Sequence, residues 1–237
     1  MTIKYYKIAN HVIEIDTIYN SIHNLCHEYE VETCNADIKL SVEPRHVSYE
    51  RNYFADGDEH SDGYLATLAA YRMLANALIK DGYLLMHGSA VAVDGQGYMF
   101  TAKSGTGKST HAKLWMDMFD NRAIMVNDDK PIVGISDDGV EIYGTPWDGK
   151  HRRSNNVNVP LKAICILERG EANEIHQITF QEAYPMLIQQ TYRPNDQALM
   201  AKTMSLIDQM GQHVKFYRLR CNMDPEAARV SYEEMRG

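Results

Sequence analysis

Apolar positions along the chain change their period several times, and each change predicts an element. Val12, Ile13 and Ile15 mark a strand, and Ile18 to Tyr29 reads as helical. Ile38, Leu40 and Val42 alternate with polar residues, which predicts a second strand stopped by Pro44. Arg51 to Gly63 is polar and reads as a loop. From Asp62, a capping residue type, Leu68, Tyr71, Ala75, Leu78 and Ile79 fall on one helical stripe that Gly82 ends. Leu84 to Val93 is an apolar run around His87-Gly88-Ser89-Ala90. Asp94 to Gly97 is a turn, and Tyr98 to Thr101 is the returning strand.

After a glycine-rich segment, a helix is expected from about Lys108 to Phe119. The strand Ala123 to Val126 then ends in Asn127-Asp128-Asp129. Ile132 to Ile135 and Val140 to Tyr143 form a hairpin around Asp137-Asp138-Gly139. Gly144 to Asn158 is a polar loop, and Leu161 to Leu167 has the composition of a buried strand. Helical patterns follow at 180–192 and 195–212, then a strand at Lys215 to Leu219. Asp224-Pro225 opens a last short helix. The sum is one α/β domain with a mixed sheet over residues 61–237. Residues 1–60 form a small N-terminal lobe, packed against that domain or integral to it.

A length of 237 residues suits one sizeable α/β core, and 44% apolar with 24% charged residues is ordinary for a soluble domain. No apolar run approaches the ~18 residues that span a bilayer. Lys4 and Lys7 interrupt any signal core in Met1 to Asn10, so the chain is expected to be cytoplasmic, without a membrane partner. The formal net charge is −8, with no basic block, which argues against a nucleic-acid partner. The four cysteines form no Cys-x-x-Cys pair and read as reduced thiols, with Cys165 buried in its strand. His23, Cys26 and His27 share a predicted helix face. Lacking a fourth ligand, they read as surface residues rather than a zinc site.

The strongest chemical signal is Ala102-Lys103-Ser104-Gly105-Thr106-Gly107-Lys108-Ser109, a P-loop pattern with alanine for its first glycine. Gly105 and Gly107 let the backbone curl so that successive N–H groups face a phosphate. The helix starting near Lys108 adds its positive end. Ser104 to Thr110 are therefore the expected nucleotide-binding residues. In that set Lys108 reaches the β- and γ-phosphates and the Ser109 hydroxyl ligates Mg2+. Asp128 and Asp129 close the strand after the P-loop helix, where P-loop proteins commonly carry a metal-linked carboxylate. Two adjacent acids allow one to hold metal while the other takes a proton. The hairpin through Asp94 to Gly97 folds the His87 strand against the one entering the P-loop, which puts His87 on an element beside the phosphate site.

These elements together resemble the C-terminal domain of HPr kinase/phosphorylase and its relative, ATP-dependent phosphoenolpyruvate carboxykinase. The carboxykinase has a His-Cys-Ser-Ala stretch, a Ser-Gly-Thr-Gly-Lys loop and a Gly-Asp-Asp pair. This chain reads His87-Gly88-Ser89-Ala90, Ser104-Gly105-Thr106-Gly107-Lys108 and Asn127-Asp128-Asp129, and the closest likeness covers residues 84–135. The resemblance implies a P-loop nucleotide-binding α/β fold of HPr kinase/carboxykinase type, ATP and Mg2+ as cofactors, and a homo-oligomer of the kind HPr kinases form. It makes Lys108 the phosphate-binding lysine, places His87 near metal and γ-phosphate, and gives Asp129 to the metal and Asp128 to the base. The Glu-Ile-Arg-Gly segment of HPr kinase has no counterpart, and Gly144 to Lys150 occupies the comparable stretch. The chain is similar to the small HPr-kinase-like proteins associated with peptide modification in bacteria.

The expected activity is phosphoryl transfer from ATP to a serine-type hydroxyl of a protein, peptide or small molecule. The alternative is a nucleotide-binding regulatory module without turnover. Retention of His87, Lys108, Ser109 and both aspartates favours the enzyme. Trp147, Asp148, Arg152 and Arg153, in the polar loop after the hairpin, are the candidate acceptor residues, since loops on a rigid scaffold commonly carry binding groups.

Overall fold

A computed structural model describes residues 2–53 and 56–237. The chain divides into two units, Met1–Asp81 and Gly82–Gly237. In the first, β1 (Thr2–Ile8) and β2 (His11–Thr17) pair antiparallel, and β3 (Ile38–Val42) joins β2 in parallel. The helices are α1 (Asn20–Leu25), α2 (Pro44–Tyr53) and α3 (Asp62–Lys80). Pro44 ends β3 as expected, but it also opens α2, because a missing N–H costs nothing in the first helical turn. Arg51, Asn52 and Tyr53 therefore lie in a helix rather than the expected loop, and Phe54 and Ala55 of that loop lie outside the described residues.

The cap of α3 is Ser61, whose hydroxyl accepts the Tyr64 N–H at 3.2 Å, while Asp62 takes an ion pair from Arg51 at 2.6 Å. The buried face of α3 runs through Leu65, Ala66, Ala69, Ala70, Leu74, Ala75, Leu78 and Ile79. Leu68 and Tyr71 of the expected stripe stand half-buried at its margin. A helix packed by α1, α2 and β3 buries more than one narrow stripe. Those contacts also carry α3 into the N-terminal unit, so the division falls at Asp81 and not after residue 60. His23 and Cys26 are buried, correcting their reading as surface residues, and His27 is exposed. The His23 ring shares a 2.7 Å hydrogen bond with the Tyr6 hydroxyl. Among the described residues, no three His, Cys, Asp or Glu side chains gather as a metal site.

The second unit contains β4 (Tyr83–Leu85), β5 (Ser89–Val93), β6 (Gln96–Thr101), α4 (Lys108–Phe119), β7 (Ala123–Asn127), β8 (Ile132–Ser136) and β9 (Gly139–Tyr143). Then follow β10 (Asn158–Arg169), β11 (Glu174–Ile178), α5 (Phe180–Gln190), α6 (Gln197–Met210), β12 (Lys215–Cys221) and α7 (Glu226–Met235). The strands make one curled mixed sheet in the order β4-β8-β9-β10-β6-β5-β7, with β12 also pairing β10 and β11 pairing β12. Asn158 to Pro160 of β10 pair with β9, and the rest of β10 runs parallel to β6 and β12. The apolar run Leu84 to Val93 is two strands, broken at Met86 to Gly88. The polar edge strand β11 carries too little apolar alternation to predict.

Period-two alternation sends neighbouring residues to opposite faces of this sheet. Tyr98 and Phe100 of β6, with Val91, Met125, Cys165 and Leu219, pack on Ala112 and Trp115 of α4 and Met235 of α7. Met99, with Ala90, Val126 and Ile164, packs on Leu187 of α5 and Leu206 and Ile207 of α6. Both helical layers thus hold β6 and β7 in place. Among the described residues, no helix is long and apolar enough to cross a membrane.

Candidate active site

Strand direction decides where the chemistry gathers. β6, β10 and β12 are parallel, and β5 runs antiparallel to both β6 and β7, so β7 points the same way as β6. The carboxyl ends of β6, β7 and β10 therefore share one edge with the amino end of β5. In open α/β sheets that carboxyl edge is where ligands bind. It carries the loop Ala102 to Gly107 after β6, Asp128 and Asp129 after β7, Arg169 at the end of β10, and His87 just before β5. Backbone bonds stitch the segments together. The Gly88 N–H donates to the Asp129 carbonyl at 3.0 Å, and the His87 N–H to Gln190 at 2.7 Å. Thr101 Oγ1 donates to the His87 carbonyl at 3.0 Å.

In the loop, Gly105 and Gly107 have φ of +77° and +121°, conformations that glycine adopts without steric cost. A Cβ on either would meet nothing within 4 Å, so the curled backbone faces open space. α4 begins at Lys108 without a side-chain cap, which leaves its first N–H groups and its positive end toward the loop. Lys108 is buried and its Nζ donates to the Ala102 carbonyl at 3.1 Å. Burial is the largest influence on its ammonium and lowers its pKa, while the Asp129 and Asp128 carboxylates oppose that shift. Ser109 and Thr106 are half-buried at the loop, and Ser104 and Thr110 are exposed. Arg169 Nη2 donates to the Gly105 carbonyl at 2.6 Å and ties the loop to β10.

The two aspartates have different surroundings. Asp128 is buried, and its Oδ1 accepts the Ser89 hydroxyl at 2.7 Å. Asp129 is more open, with Oδ1 3.9 Å from His87 Nε2 and Oδ2 accepting Lys130 Nζ at 2.6 Å. Burial, then the charge on Lys108, lowers the His87 pKa, against the pull of Asp129. The imidazole is accordingly neutral near neutral pH. The structure thus brings His87, Lys108, Asp128 and Asp129 into one cluster.

Asn127 organises the turn that carries the pair. Its fully buried side chain accepts the Asp129 N–H at 2.8 Å and the Lys130 N–H at 2.6 Å. Its amide donates to the Thr145 carbonyl at 2.9 Å and the Thr145 hydroxyl at 3.1 Å. Gly149, at φ +73°, comes so close that a Cβ there would sit 3.1 Å from the Asp129 Cβ. Asn127, Ser89, Lys130, Thr145, Gly149 and Arg169 were not among the site residues expected from sequence. Asn127, directly before the acidic pair, and Ser89, within the His87-Gly88-Ser89-Ala90 stretch, had a local signal.

The segment expected to meet an acceptor splits in two. Trp147 and Asp148 turn inward and are buried, rather than standing in an exposed polar loop. Trp147 packs where its carbonyl receives a long 3.4 Å bond from Asn127, and Asp148 accepts the Ser154 hydroxyl at 3.1 Å. Burial pushes the Asp148 carboxyl pKa up. Arg152, 3.7 Å from Asp148, and Arg153 are exposed. Arg153 and Asn155 border an open cavity of about 360 Å3 together with Lys113 and Met125.

A family model described as SynChlorMet cassette protein ScmC matches residues 64–225, more than half of the chain, and the chain belongs to that family. No curated protein matches it. Among solved structures, the HPr(Ser) kinase/phosphatase from Coxiella burnetii matches over 65% of this chain and 99% of that one, with 11% identity and a TM-score of 0.35.

Proposed function

We propose that this member of the ScmC family is an ATP-dependent phosphotransferase acting on a serine-type hydroxyl of a protein, peptide or small molecule. The observation that supports it is the cluster at one sheet edge: an open glycine loop with Lys108, beside Asp128, Asp129 and His87. Positioning and charge neutralisation are most of what phosphoryl transfer asks of a protein. The loop N–H groups and the α4 terminus would receive the β- and γ-phosphates, with Lys108 released from Ala102 to meet them. The Ser109 hydroxyl and the Asp129 carboxylate are hard oxygen donors, and with phosphate oxygens and water they suit Mg2+. When bound, that ion supplies neutralisation of phosphate charge.

Asp128 is the proton acceptor in this reading. Ser89 fixes one of its oxygens and leaves the other to take the proton from the attacking hydroxyl. The acceptor oxygen bonds to the γ-phosphorus, the bond to the β-bridging oxygen breaks, and ADP leaves. Neutral His87 sits beside Asp129 as a hydrogen-bonding partner for the phosphoryl group. The test is a single-turnover assay with γ-labelled ATP, Mg2+ and a cell extract as acceptor source. Label should pass to an alkali-labile serine ester with the wild-type chain and not with Lys108→Ala. Tight ATP binding with no transfer to any acceptor would reduce the protein to a binding module.

A further inference from the structure

We infer that Lys130 is a built-in counter-ion of Asp129 that competes with a metal ion for that carboxylate and must be displaced before the carboxylate can take the ion. The inference rests on the proposed role of Asp129 at the metal. Lys130 Nζ stands 2.6 Å from Asp129 Oδ2, a contact that occupies the oxygen on the side away from His87. On the other side Oδ1 faces the His87 ring at 3.9 Å, and Gly149 closes over the Asp129 Cβ. An incoming cation therefore meets a carboxylate that already carries an ammonium on one oxygen, and it competes with Lys130 for that charge.

The backbone around the pair leaves only the side chains able to respond. The Asp129 and Lys130 N–H groups both end on Asn127 Oδ1, at 2.8 and 2.6 Å. The Asp129 carbonyl receives the Gly88 N–H at 3.0 Å, and the Lys130 carbonyl receives the Thr145 hydroxyl at 2.8 Å. Pro131 then fixes the following φ. Lysine is a compact charge on a flexible stem, suited to leaving one anion for another by side-chain rotation alone. A triphosphate in the neighbouring loop offers that second anion. Metal binding at Asp129 becomes conditional on nucleotide, which delivers the ion and gives the ammonium a new partner. Free Mg2+ alone then gains little hold on the protein.

The competition can be read without nucleotide and without turnover. Mn2+ is titrated calorimetrically into the full chain as wild type, Lys130→Met, Lys130→Arg and the double variant Lys130→Met with Asp129→Asn. Losing one charge-assisted bond to the carboxylate should tighten Mn2+ binding on the order of tenfold in Lys130→Met. Lys130→Arg should stay near wild type, and the gain should vanish in the double variant. Lys130→Gln carries the same test where Lys130→Met fails to fold. Unchanged Mn2+ affinity in the neutral variants, or a gain that survives Asp129→Asn, overturns the inference. The kinase reading fails separately, by wild-type protein that does not bind Mg-ATP in a parallel titration.

Discussion

Asn127→Ala is expected to damage the protein far more than the loss of one polar side chain at a strand end. The Asn127 side-chain Oδ1 satisfies two backbone donors, at Asp129 and Lys130, and its amide Nδ2 donates to two acceptors on Thr145. Truncation strands both N–H groups. A buried donor left without a partner costs roughly 1–3 kcal/mol, so the pair sets a range of about 2–6 kcal/mol. Asp129 and Lys130 are only part-buried, and water reaching their N–H groups returns some of this. Carbonyls tolerate the loss better because each has a second lone pair. A net loss of about 3 kcal/mol follows, a large share of the ~5–15 kcal/mol that holds a typical domain. Asn127→Asp keeps the acceptor for both N–H groups but turns a negative oxygen toward the Thr145 carbonyl, so it should not rescue. Urea denaturation compares the three proteins through their midpoints at constant m-value. Mg-ATP binding, followed where the variants remain folded, should weaken with them, because the turn sets where both aspartates point. A stability loss under about 1 kcal/mol in Asn127→Ala would refute the view that this side chain holds the acidic turn.

Lys108→Ala should remove most ATP affinity, since a charge-assisted phosphate contact contributes about 1.5–3 kcal/mol, and equilibrium titration checks it. Asp128→Asn should keep Mg-ATP binding and slow transfer by ~10²-fold or more, whereas Asp129→Asn should raise the Mg2+ requirement. Full transfer by both variants would move the active site elsewhere. Stability should also fall on acidification through His111, whose burial pushes its pKa from the usual 6.5 down to about 4. The unfolded chain then binds the extra proton between these values, so stability is present above the unfolded value and drains away as pH falls toward the folded one. The loss between pH 7 and pH 5 is about 2 kcal/mol by linkage. In His111→Gln, which can still reach Ser231, thermal melts should show a pH slope shallower by that amount; an unchanged slope would count against it.

The legible parts of the site were those whose partners are close in sequence. The glycine loop and Lys108 are consecutive, and the positive φ at Gly105 and Gly107 is what the glycines predicted. The Asp pair closes its strand as expected, and the hairpin does bring His87 to the loop edge, although His87 precedes β5 rather than lying in it. The Asn127 amide works through Thr145 and Trp147, distant in sequence, and no local pattern shows such a bond. The inward turn of Trp147 and Asp148 was hidden for the same reason. Their loop is polar by composition, yet Asn127 and Ser154 give it inward hydrogen bonds. In the N-terminal unit, Pro44 carries one local meaning, strand stop, and a second, helix start, that only the following residues reveal.

What sets the spacing of the acidic pair against β5 is an irregularity in the sheet between β5 and β7. β5 pairs with β7 in register from Val93 opposite Ala123 to Val91 opposite Met125, and then the pairing jumps to Ala90 opposite Asn127. Val126 is the extra residue of a bulge. Its carbonyl accepts the Asn155 N–H at 3.2 Å, which fastens the 153–155 segment to β7. A bulge also reverses side-chain alternation and sharpens twist, which is how strands are re-aimed near active sites. Without it, Asn127 would fall out of step with the Thr145 segment, and Asp128 would leave the Ser89 hydroxyl, since a one-residue slip exchanges the faces. The antiparallel insertion of β5 brings Ser89 and His87 to this edge. The bulge turns the acidic pair to meet them, so the geometry that the proposed chemistry needs depends on a residue, Val126, with no chemistry of its own.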